Sequence, residues 1–179
     1  MTKFLLSVHV LAAIITVGPV TVAASMFAPA ARRALAAAGA VETGAAGHEL
    51  TVLRTLYRIC VVYAAAGLLV PMFGLATASS LGVLGEVWLI VSIALTAAAA
   101  AVLVLLVLPR QAKILAELNP PATGAAGAGA GDPETATART AAQARQVTAR
   151  LAMFTGIFNL LWAVVTVLMI LRPGSTTNA

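Results

Sequence analysis

The chain divides into long stretches without a single Asp, Glu, Lys or Arg and shorter ones that hold all of them. The charge-free runs are Phe4–Ala31 (28 residues), Ile59–Gly85 (27), Val87–Pro109 (23) and Leu151–Leu171 (21). Each reaches the ~20 residues that an α-helix needs to cross a hydrocarbon core. A spanning barrel strand needs only ~9–11 residues of alternating polarity, and these runs are apolar on every face, so strands are excluded. The pattern predicts an all-α fold, an integral membrane four-helix bundle, with spans at about 4–29, 57–79, 86–108 and 151–171 of a single membrane domain. The first run is longer than the ~7–15 apolar residues of a signal peptide, and cleavage at "VAAS" or "APAA" would leave Arg32 and Arg33 on the translocated side. It is therefore read as a span.

The segments between the spans extend the helices. "APAARRALAAAG" continues the first to a C-cap at Gly39, "HELTVLRTLYR" leads into the second, and "RQAKILAELN" prolongs the third until Pro120 and Pro121. A flexible Gly/Ala linker occupies about 119–132. Asp132 then offers an N-cap and Pro133 a first helical residue, so the fourth helix starts ahead of its span and runs into it unbroken. Of eleven Lys and Arg residues, nine (Arg32, Arg33, Arg54, Arg58, Arg110, Lys113, Arg139, Arg145 and Arg150) fall in the first and third loops; only Lys3 and Arg172 lie on the other side. The positive-inside rule puts those two loops, with their helical extensions, in the cytoplasm and both termini outside it.

Composition supports this picture. The chain is 61% hydrophobic and 9% charged, against ~25% charged in soluble domains. Its net charge of +5 comes without basic runs interleaved with aromatics, so nucleic acid is not an expected partner; the lipid bilayer is, with other membrane subunits or a second copy of the chain. Arg-rich, Lys-poor and Ala-rich usage fits a bacterial plasma membrane. Cys60 is the only cysteine, which excludes an intrachain disulfide and a CxxC pair.

Few residues inside the spans carry chemistry. On the fourth helix Thr155, Asn159, Trp162 and Thr166 share one stripe and are expected to make interhelical polar contacts, as are Thr16 and Tyr63. In the second, Cys60, Tyr63, Gly67, Pro71 and Gly74 align, with a kink expected at Pro71. The first carries a Gly18–Pro19 pair, where a bend is expected, and His9, about 9 Å in from the helix start at 1.5 Å per residue. An ionisable residue within a span is a functional candidate by default. Yet bis-imidazole ligation of haem b needs a second membrane histidine, and His48 is predicted on the opposite side; Met26 or Met72 would be the alternative partner.

The opening "FLLSVHVLAAIITVGPV", the "RR" after it, "WLIVSIAL" and the closing "FNLLWAVVTVLMILRPG" resemble a bacterial family of four-helix membrane proteins known as domain of unknown function 2269. The likeness covers all four spans; its distinctive parts are His-x8-Gly-Pro and "MILRPG". That family is distantly similar to copper-resistance D-like and protoporphyrinogen-oxidase membrane proteins. The resemblance implies that His9 matches a histidine serving haem or redox chemistry, and that Phe158, Asn159, Arg172 and Pro173 match the last helix. The chain departs from that pattern in having no His or Lys inside its third span. Three functions are carried forward: a non-enzymatic accessory or structural component of a membrane assembly, a haem- or porphyrin-binding redox protein using His9, and a small-solute or metal transporter with helices broken at Gly18–Pro19 and Pro71.

Overall fold

A computed structural model describes residues 2–38, 43–119 and 133–174, and all its regular structure is helical. The elements are α1 (Thr2–Ala38), α2 (Thr43–Ala66), α3 (Leu69–Leu81), α4 (Val87–Ala101), a π-helical segment (Val102–Val107), α5 (Leu108–Leu118) and α6 (Pro133–Leu171). They combine into four helical stretches long and apolar enough to cross a membrane: Lys3–Ala37, Gly47–Leu81, Val87–Leu118 and Arg145–Leu171. Gly39, the linker residues from Pro120 onward and Asp132 lie outside the described residues; α6 begins at Pro133, which suits a first helical position because its missing N–H has no intrahelical role there.

The prolines act differently from one another. α1 stays continuous through both Pro19 and Pro29, so the first helix is not broken at Gly18–Pro19 as the transporter alternative required. The second span is interrupted, but at Gly67–Leu68, one turn ahead of Pro71. Pro71 has no N–H for the Gly67 carbonyl, which takes that of Val70 instead at 3.1 Å, tightening the chain into three-residue turns between α2 and α3. In the third span Pro109 withdraws the donor that Leu105 would use. The preceding turns widen, with the Leu108 N–H reaching the Leu103 carbonyl five residues back.

α3 ends in a Schellman motif: Val83 N–H bonds the Ala78 carbonyl and Gly82 N–H that of Ser79, both at 3.2 Å. Gly82 sits at φ 71°, where a Cβ meets the following carbonyl. Gly82→Ala is expected to lower stability by about 1–2 kcal/mol, whereas Gly85→Ala, at a position with open space around it, shifts the melting temperature little. Thermal melts of the two variants check this.

α1 packs against α2, α3, α5 and α6, while α6 also holds α4 and the π segment. The main core lies in the half of the bundle towards the arginine-rich end. Its α1 face is built from Ala23, Ala24, Ala30, Ala31 and Ala34 around Phe27, and Leu53, Val107, Ile114 and Leu151 close on it from the other helices. In a bilayer, where lipid is as apolar as these side chains, close approach over small residues, more than water exclusion, would hold such helices together. Gln111 is wholly buried at this level, with Nε2 3.7 Å from Cys60 Sγ and Oε1 without a hydrogen-bond partner. Beside it Arg110 donates to the Leu106 carbonyl at 2.8 Å and stacks 4.3 Å above the Phe154 ring. A second, smaller cluster of Ala78, Trp88 and Leu89, with Val83 and Met169 against it, closes the opposite end.

Candidate functional site

His9 faces α3 at that opposite end. Its Nδ1 lies 2.9 Å from the Val70 carbonyl oxygen. A carbonyl only accepts, so Nδ1 carries a hydrogen and donates it to Val70. The imidazole rests directly on Gly74: a Cβ there would stand 2.9 Å from His9 Cε1 and 3.2 Å from Nδ1. Glycine at 74 is thus the condition for the close approach of α1 and α3.

Next to the ring is a cavity of about 40 Å3, lined in part by His9, Gly74, Thr77, Trp88, Met169 and Arg172. Each helix supplies its share for a local reason. α6 terminates at Leu171 because Pro173 disfavours a right-handed helical conformation at the residue before it. Arg172 itself stands at φ 42°, a left-handed conformation that costs a non-glycine residue roughly 1 kcal/mol. That turn carries its guanidinium to 5.6 Å from the Trp88 ring centroid, within cation–π range. Trp88, in the first turn of α4, is buried, and its indole N–H has no hydrogen-bond partner. The Thr77 hydroxyl is engaged by the Phe73 carbonyl at 2.7 Å.

The other sequence candidates lie elsewhere. Asn159 alone bonds between helices, donating from Nδ2 to Ser25 Oγ of α1 at 3.2 Å; its Oδ1 has no partner. Thr16 and Thr166 do not bond to neighbouring helices. Each hydroxyl donates to the carbonyl four residues back, Ala12 at 2.7 Å and Trp162 at 2.9 Å, because a helical threonine finds an acceptor in its own preceding turn. Thr155 is buried with no partner for Oγ1, and Tyr63 and Trp162 are half-buried against the main core. Met26, Met72 and His48 are exposed.

Sequence reasoning treated His9, Gly74, Trp88 and Arg172 as features of four separate spans and missed their convergence. Gly74 beside a proline break and the Arg–Pro ending were the available signals. Gln111 was read as part of an extension beyond the span and is instead fully enclosed.

Haem fits this site poorly. A cavity of about 40 Å3 is far below the ~300–1,000 Å3 of pockets that enclose drug-sized ligands, and the His9 ring is packed on the α3 backbone. Among the described residues no group of three or more His, Cys, Asp and Glu side chains is placed to hold a metal ion. No family model, curated protein or solved structure matches the chain.

Proposed function

We propose that the chain is a multi-pass protein of a bacterial plasma membrane that works without catalysis, as an accessory or structural component of a larger membrane assembly. The observation that carries this reading is the Ser25–Asn159 pair. Ser25 is exposed within a run of apolar residues on α1, and the half-buried Asn159 of α6 is bonded to it. Groups of this kind gain little from lipid and are satisfied by another polypeptide. His9 supports the same reading, since its Nδ1 joins α1 to the α3 backbone.

In this reading both termini are outside the cytoplasm and the nine basic residues of the first and third loops are inside. The His-x8-Gly-Pro opening and the "MILRPG" ending support a likeness to the domain of unknown function 2269 family.

Extraction from its native membrane in a mild detergent is expected to release the protein in a species larger than one chain. Asn159→Leu is expected to shift most of it to the monomer position on size exclusion with light scattering, with its helical content unchanged. A solitary species for the wild type in every mild detergent would overturn the assembly role. A Soret band in the purified protein that vanishes in His9→Ala would replace it with the haem reading, and substrate-dependent flux above empty vesicles would replace it with transport.

A further inference from the structure

We propose that the cavity between His9, Trp88 and Arg172 binds a single phosphate group, either free phosphate or the headgroup phosphate of a lipid. The assignment follows from the chemistry of its walls and is independent of any assembly role.

Arg172 is the cation of the cavity, and neither ion pair found among the described residues, Arg33–Glu49 or Lys113–Glu117, involves it. No carboxylate is among the lining residues. The guanidinium face is occupied by the Trp88 ring, which leaves its N–H edge as a planar fork suited to two oxygens of an oxyanion. The Trp88 indole N–H is a second donor with no partner in the bundle. Burial of an unpaired donor costs free energy, so an acceptor that reached this N–H would be favoured. The Thr77 proton is already taken by Phe73.

Size and setting agree. A water-sized group needs ~10–15 Å3 of such space, so about 40 Å3 admits roughly three. A tetrahedral phosphate can place three oxygens inside and direct its fourth through the open side. The remaining walls, Leu6, Leu81 and Leu89 among them, are apolar, and low polarity strengthens an arginine–oxyanion contact relative to water. The site is also at the end of the bundle that carries Lys3 and Arg172, the level at which a spanning helix meets lipid headgroups. Retaining arginine in a left-handed conformation, where glycine would be unstrained, is consistent with a demand for this side chain.

The test uses the full chain in an uncharged detergent. In one arm, sodium phosphate is titrated against sodium chloride of equal ionic strength while thermal unfolding is followed. In the other, native mass spectrometry counts phosphatidylglycerol retained per chain from mixed micelles. We expect a saturable rise in melting temperature with phosphate, or one retained lipid per chain, in the wild type. Arg172→Gln should weaken half-saturation or lipid retention at least tenfold, Arg172→Lys should be intermediate, and Lys3→Gln should behave as wild type. A response confined to the first arm identifies free phosphate, one confined to the second identifies a lipid headgroup, and a response in both assigns the shared phosphate chemistry. No response in either arm, or equal losses in Arg172→Gln and Lys3→Gln, would overturn the site.

Discussion

Gly74→Ala is expected to destabilise the bundle by about 1–3 kcal/mol, the range for forcing an added methyl into a packed contact. The new Cβ would stand 2.9 Å from His9 Cε1, and the obstacle is a ring whose Nδ1 is already held by the Val70 carbonyl. Either the imidazole leaves that hydrogen bond or α1 and α3 separate. The same substitution in a His9→Ala background meets no ring and should cost only a few tenths of a kcal/mol. Thermal or denaturant unfolding of the four members of this double-mutant cycle in one detergent measures the coupling. Additive effects of the two substitutions would contradict the ring-on-glycine contact. An alanine at 74 without cost would do so as well.

The second large effect is expected at Phe27, fully enclosed in the main core. Phe27→Ala leaves a void that the surrounding alanines of α1 are too short to fill. In a soluble core such a change costs ~3–5 kcal/mol; for a chain held in a bilayer or micelle the unfolded side chain remains in an apolar solvent, so the lost packing dominates and about 2–3 kcal/mol is expected. Met26→Ala, next along the chain and half exposed, should stay within about 0.5 kcal/mol of wild type in the same unfolding assay.

The helical stretches were readable in the sequence because a charge in hydrocarbon is so costly that its absence over twenty or more residues is itself a signal. Proline positions were visible too, but their consequences depend on neighbours. Pro19 and Pro29 stay inside a continuous α1, whereas Pro71 follows a break whose position is fixed by which N–H the Gly67 carbonyl can reach. Side-chain partners were less legible. A wheel placed Thr16 and Thr166 on faces shared with other polar residues, yet a wheel carries no information about the acceptor that a hydroxyl has in its own preceding turn. The His9–Gly74 contact joins residues 65 positions apart and exists only once α1 is set against α3 at a given height, which no local pattern encodes.

The wide turns before Pro109 leave the third span with one residue to spare. Ala99, Leu103, Val107 and Gln111 are all buried, at strict intervals of four. In a plain α-helix three such steps would carry the face about 120° round, at 3.6 residues per turn, and Gln111 would leave Cys60 for the surroundings. The π segment takes up that surplus, so both flanking helices keep the same side towards α6 and α2. Homologues one residue shorter between 102 and 107 could therefore present the same inward face as an unbroken α-helix. A homologue lengthened there would have no such slack and would have to rotate everything from Arg110 onward.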